Sequence, residues 1–200
     1  MEFEGTFTIE DVSAEEVWLT LSDPVLIKQS LPGCQFLRQV EDPDNVDFES
    51  LRDAEPEADP ETLPAAELDD VSERAFVEGR HYAALMQLSV GSVKPSFRTV
   101  VTIDERAFPA INAFGEGSAG DSSFEMSSGM ALIETNEGVD TEWHAEADVF
   151  GKIAQMGQRV ISPVADRVVA RFFESVEDRL TEVAKEENAD GLRDRVRNLL

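Results

Sequence analysis

His81, His144 and Cys34 are the residues of this 200-residue chain whose types best suit acid–base, nucleophilic or metal chemistry. Their spacing supplies little of it. Neither histidine stands in a Ser/Asp or Cys arrangement that would activate a nucleophile. No base is placed beside Cys34, which follows Pro32-Gly33 and reads as a small packed residue. Glu142, His144 and Glu146 share one face of an alternating segment and have ligand chemistry, but that face is acidic and reads as solvated, so no metal is assigned. His81-Tyr82 is a pair able to orient or protonate a ligand's polar group. Carboxylates are too numerous for any pair to be informative, and nothing resembles a phosphate-cradling glycine loop followed by Lys and Ser or Thr. No catalytic residue is assigned.

What the sequence concentrates instead is soft, adaptable apolar side chains. Met86, Met126, Met130 and Met156, with Phe97, Phe114, Phe124, Trp143, Val160 and Val164, fall on segments expected to face the interior. If those segments enclose a hollow, the set forms an apolar pocket suited to an isoprenoid or acyl chain. A filled core is the alternative reading. The candidate ligand-binding residues are Met86, Phe97, Phe114, Met126, Met130, Trp143, Met156, Val160 and Val164.

The elements that must position them are legible from periodicity. Glu2 to Glu10 alternates Phe3, Gly5, Phe7 and Ile9 with polar residues, the pattern of a half-buried strand. Ser13-Ala14-Glu15-Glu16 reads as a capping box opening a short helix, and Asp23-Pro24 starts a second that ends at Leu31-Pro32-Gly33. A strand follows over Cys34 to Val40. Further strands are predicted over Glu73–Glu78, His81–Val90, Ser96–Arg106, Ala110–Ser118, Ser122–Thr135 and Val139–Phe150, joined by turn signals as an antiparallel meander. From Gly151 to about Glu187 the apolar positions recur at steps of three and four, predicting one uninterrupted amphipathic helix. At 1.5 Å per residue it spans about 50 Å, with Pro163 bending it. A stripe that long needs a broad cover, and a curved antiparallel sheet around it leaves a hollow.

One domain is expected over residues 1–187, followed by a short amphipathic, arginine-bearing tail at 188–200. Within the domain, residues 41–72 are acidic and carry four prolines, a composition poor in core-forming residues that predicts a mobile loop or fragments of helix. The chain carries 42 acidic and 17 basic residues, a net charge of −25. That excludes direct binding to nucleic acid phosphates or an anionic bilayer as a working hypothesis. Four lysines against thirteen arginines, with this acid excess, match a protein of a salt-loving archaeon, in which molar salt shrinks the Debye length to about 3 Å and screens the self-repulsion. Without a signal-like or membrane-spanning stretch, a cytoplasmic location is expected.

The order strand, two short helices, meander and long C-terminal helix resembles the helix-grip fold of the START/SRPBCC superfamily, an α+β architecture with a curved antiparallel sheet wrapped around one long C-terminal helix. Local motifs narrow the resemblance. Phe3-Glu4-Gly5-Thr6-Phe7, Glu16-Val17-Trp18, Leu21-Ser22-Asp23-Pro24, Leu31-Pro32-Gly33-Cys34, Val90-Gly91-Ser92-Val93-Lys94, and Gly151-Lys152-Ile153-Ala154-Gln155-Met156-Gly157 through Phe172-Phe173 are similar to the CoxG family of carbon monoxide dehydrogenase. The resemblance covers nearly the whole chain apart from residues 41–72 and the tail. It implies a noncatalytic accessory protein of a molybdenum hydroxylase of the aerobic carbon monoxide dehydrogenase type. Such a protein would recruit its enzyme to the membrane or carry a quinone or lipid-like molecule, with no resident cofactor. The family's larger members add a C-terminal membrane-associating segment. This chain shows no such extension, so at most peripheral membrane association through a partner is expected. Two alternatives are kept: a polyketide cyclase-like enzyme of the same superfamily using His81 or Tyr82, and a structural adaptor with a filled core.

Overall fold

The alternation along the chain becomes a seven-stranded antiparallel sheet in the order β1-β7-β6-β5-β4-β3-β2. A computed structural model describes residues 1–56, 58–89 and 94–187. The strands are β1 (Glu2–Glu10), β2 (Cys34–Val40), β3 (His81–Gln87), β4 (Ser96–Ala107), β5 (Ala110–Ala119), β6 (Ser122–Glu134) and β7 (Gly138–Gly151). Helices α1 (Ala14–Ser22) and α2 (Pro24–Ser30) link the two edge strands, and α3 (Phe48–Asp53) and α4 (Leu68–Glu73) lie between β2 and β3. After β7 come α5 (Lys152–Gln155) and the long α6 (Gln158–Glu187). The arginine-bearing tail at 188–200 and the Val90–Val93 part of the resemblance lie outside the described residues.

Local chemistry accounts for the element ends. Ser13 Oγ accepts from the Glu16 amide at 3.3 Å while Glu16 Oε2 accepts from the Ser13 amide at 2.6 Å, closing the capping box of α1. Asp23 caps α2 through the Val25 amide at 2.9 Å, with Pro24 at the first helical position. The strand expected over Glu73–Glu78 is instead the end of α4 and a turn. Leu68 and Val71 stand three apart on a helical face and are both buried, and the Phe76 amide donates to Ser22 O rather than to a strand ladder. The expected single C-terminal helix is broken at Met156-Gly157. Gly157 adopts φ +73°, the left-handed conformation that ends α5, and α6 begins one residue later. Pro163 lies inside α6 without ending it.

The sheet register sorts every side chain to one of two faces, because cross-strand partners lie on the same side. The inner face carries Ile9, Val139, Leu132, Ile111, Ile103 and Tyr82, which pack with Val17, Trp18 and Leu21 of α1, Leu26 of α2, and Val176 and Leu180 of α6 into the main core. The outer face is acidic over β7. Over β2 and β3, however, it is covered: Phe36, Ala83 and Leu85 pack under Val46, Phe48 and Leu51 of the 41–54 segment. Leu63, Leu68 and Val71 form a further cluster with Leu19. The acidic stretch therefore carries short helical fragments and contributes apolar cover. It is also tied down by charge: Lys28 Nζ reaches Glu55 at 2.5 Å and Asp59 at 2.6 Å, and Arg179 of α6 donates to Thr62 at 2.6 Å and Gln29 at 2.9 Å.

Candidate functional site

Along α6, burial changes at one point. Val160, Ile161, Val164, Val168, Val169 and Phe172 are half-buried, whereas Phe173, Val176 and Leu180 are buried. The backbone of the helix comes closest to α1, α2 and β1 rather than to the central strands. A continuous part of the sheet's inner face is made of small side chains, here called its floor. Ala145 and Ala147 of β7, Ser128 of β6, Ala113, Gly115 and Gly117 of β5, Thr99 of β4 and Ala84 of β3 share the inner face in register. A Cβ placed on Gly115 would make only ordinary van der Waals contacts, with Thr99 and Val101 methyl carbons at 3.8 Å and Met126 O at 3.9 Å, so this position would take a methyl group without a clash. Large side chains rim this floor. Phe97 and Phe124 meet with ring centroids 6.0 Å apart, and Gly117 makes room for them, since a Cβ there would lie 2.7 Å from Phe124 Cζ. At the other side Trp143 lies over Gly5 and packs against Phe173, which stacks on Phe7 at 4.8 Å.

Eight of the nine sequence candidates lie on the inner face of the sheet or on the α5–α6 segment, the two surfaces between which a hollow is expected. Met86, Phe97, Met126, Met130 and Trp143 are on the inner face, Val160 and Val164 on α6, and Met156 at the α5–α6 junction, all half-buried. Met130 packs against the closed core and so marks the boundary. Phe114 is a correction. Its cross-strand partners are Thr102 and Ser127, in line with His81 and Glu146, which puts it on the outer face, away from the hollow. Strand alternation alone cannot choose between the two faces of β5, where small residues occupy the inner positions.

The polar groups considered in the sequence are also placed. His81 is on the outer face, its Nδ1 2.9 Å from Thr102 Oγ1, so it cannot reach a ligand in the hollow. Tyr82 points inward but is buried in the main core, where its hydroxyl accepts from the Val77 amide at 3.0 Å and its ring meets Phe76 edge-on at 4.8 Å. Cys34 has its thiol pushed up to about 12, chiefly by burial, so it is not ionised at neutral pH. Polar groups on the inner face near the hollow are sparse. Ser128 Oγ donates to Ala113 O at 3.5 Å, and the fully buried Thr141, next to Trp143 along that face, has a hydroxyl without a hydrogen-bond partner among the described residues.

Sequence reasoning missed the small-residue floor, because it sought large side chains. It also missed Phe3 and Phe7, whose alternation in β1 was a usable signal. A cleft of about 310 Å³ beside the hollow was missed as well; it is lined by Pro32, Gly33, Gln87, Leu88, Ser89, Val164, Arg167, Val168 and Arg171.

A family model of the carbon monoxide dehydrogenase CoxG subunit matches residues 68–181, more than half of the chain. The chain belongs to the CoxG family. The matched span runs from α4 through most of α6 and so contains the whole small-residue floor and the half-buried stretch of α6. Solved structures agree on the CoxG chain's fold. A conserved protein of Geobacillus kaustophilus is 20% identical with TM-score 0.64, covering 92% of this chain and 96% of that one. An aromatase/cyclase from a Streptomyces species is 11% identical with TM-score 0.59, covering 96% and 98%. A protein of Thermus thermophilus is 11% identical with TM-score 0.55, covering 91% and 98%. At these identities the likeness concerns the fold, the helix grip of sheet around helix. Among curated proteins no relative of the sequence is found. Among the described residues, no helix is long and apolar enough to cross a membrane.

Proposed function

We propose that this CoxG-family protein is a noncatalytic accessory protein that holds a hydrophobic ligand, a quinone or lipid-like molecule, between α6 and the inner face of the sheet. In this reading it serves a molybdenum hydroxylase of the aerobic carbon monoxide dehydrogenase type, and its acid excess is an adaptation to high salt. The observation that carries the reading is a pair of surfaces, a half-buried apolar stripe from Val160 to Phe172 on α6 and an inner sheet face of alanine, glycine, serine and threonine. Close-packed interiors do not leave such a stripe half covered. An apolar volume with few polar groups is the ordinary form of a small-molecule site. Met86, Phe97, Met126, Met130, Trp143, Met156, Val160 and Val164 are the proposed ligand contacts, with the Ser128 and Thr141 hydroxyls as polar handles.

Native mass spectrometry with lipid extraction, on full-length protein held in high salt, tests this. The expected result is a copurified isoprenoid or lipid of defined mass, or one-to-one uptake of added menaquinone, lost on replacing floor residue Ala147 by Trp while the melting transition persists. A clean apo mass with no menaquinone uptake overturns the reading and favours an adaptor with a filled core.

A further inference from the structure

We propose that the cleft beside the hollow is a head-group site, and that the ligand of this protein is an anionic single-chain amphiphile whose carboxylate sits between Arg167 and Arg171. The proposal rests on the hollow being a ligand site and adds to it the charge of the ligand. Arg167 and Arg171 stand four residues apart on α6, so their side chains are neighbours on one helix face. Two like charges at that spacing repel, and a chain with 42 acidic residues has ample carboxylates to neutralise them. Among the described arginines, Arg38 meets Glu55, Arg52 meets Asp53, Arg74 meets Asp23 and Arg98 meets Glu49, whereas Arg106 and Arg179 bond uncharged side chains. Arg167 and Arg171 meet no carboxylate among the described residues.

What lies between the two arginines and the sheet is the cleft of about 310 Å³. Its walls are divided by polarity. Val164, Val168, Leu88 and Pro32 give an apolar side, and Arg167, Arg171, Ser89 and Gln87 a polar one. Val164 and Val168 belong to the same half-buried stripe that roofs the hollow, so an apolar tail and an anionic head find adjoining surfaces along one helix. The turn opposite is fixed: Gly33 adopts φ +76°, its carbonyl accepts from the Gln87 amide at 2.8 Å, and a Cβ there would lie 2.2 Å from Gln87 O. The cleft therefore has one rigid wall and one cationic wall. Two adjacent guanidinium groups suit a carboxylate, which accepts from several N–H donors at once.

Displacement of the neutral fluorophore N-phenyl-1-naphthylamine tests this, with palmitate and hexadecanol as competitors of equal chain length. Palmitate is expected to compete about tenfold more strongly than hexadecanol, the scale of a charge-assisted contact discounted for exposure. In R167Q/R171Q that advantage disappears while hexadecanol competes as before. Both side chains are exposed, so an unchanged melting temperature certifies the variant. Equal competition by the two chains in the native protein, or an advantage that survives R167Q/R171Q, overturns the head-group site and leaves the hollow in place. Failure of the fluorophore and both competitors to bind overturns the hollow reading itself, and this proposal with it.

Discussion

Asp23 shows how much can hang on one side chain. Its carboxylate is 1% exposed, caps α2, and receives Arg74 Nε at 2.9 Å and Nη2 at 2.7 Å, while Arg74 also donates to Glu61 O at 2.6 Å. One guanidinium thus joins α4, the acidic stretch and the α1–α2 corner. Replacing Arg74 by Ala strands a buried carboxylate and is expected to cost about 3 kcal/mol, read as a lower urea midpoint with unchanged slope. Cys34 gives a pH signature. Burial lifts its thiol from 9.0 to about 12, so the unfolded chain ionises first. The resulting stability is complete below pH 9 and is lost as pH rises from there toward 12, at a slope of up to about 1.4 kcal/mol per pH unit. Cys34→Ala is expected to remove that part of the alkaline slope in denaturation curves taken from about pH 8 to about pH 10.5, and the native thiol to stay unreactive to iodoacetamide at about pH 8.

At the scale of elements, α6 makes two different contacts along its length, and truncations should separate them. Leu180→Ala, in the closed core, is expected to cost about 3 kcal/mol, within the range for buried leucines. Val164→Ala, over the floor of small residues, is expected to cost less than about 1 kcal/mol, because the removed methyl groups leave a surface already half covered. Comparable losses in urea melts of both would mean that the interior is filled. The helix itself was legible in the sequence because its apolar spacing is local. Its break was not, since Ile153, Met156 and Val160 continue the stripe across Gly157 and only the backbone reveals the left-handed turn. The strands β1 to β7 were legible for the same local reason, β3 ending at Gln87 within its expected span, as were the capping box and the proline of α2. What needed the partner strands was face: Phe114 and His81 are assigned outward only once Thr102, Ser127 and Glu146 are aligned beside them. The apolar cover that Phe48 and Leu51 give to Phe36 was also illegible, because it joins an acidic stretch to the back of a sheet edge.

For the whole molecule, net charge is the property through which the fold responds to the salt of its solvent. A net charge of −25 on 200 residues repels itself in dilute buffer. Raising KCl from about 0.1 M to about 2 M, which shortens the Debye length from about 10 Å to a few Å, is expected to raise the melting temperature by several degrees, read by circular dichroism. A flat response would detach the acid excess from salt adaptation. The glycines at both ends of α5 have a different consequence. Gly151 at φ +82° and Gly157 at φ +73° interrupt the chain between β7 and α6, while Val176 and Leu180 fasten the far part of α6. On the proposed function, lifting the near part disturbs only half-buried contacts, so how long a ligand stays and how stable the protein is become separately adjustable. Substitutions at Val160 or Val168 then change residence time with little effect on the unfolding midpoint, and substitutions at Val176 or Leu180 do the reverse.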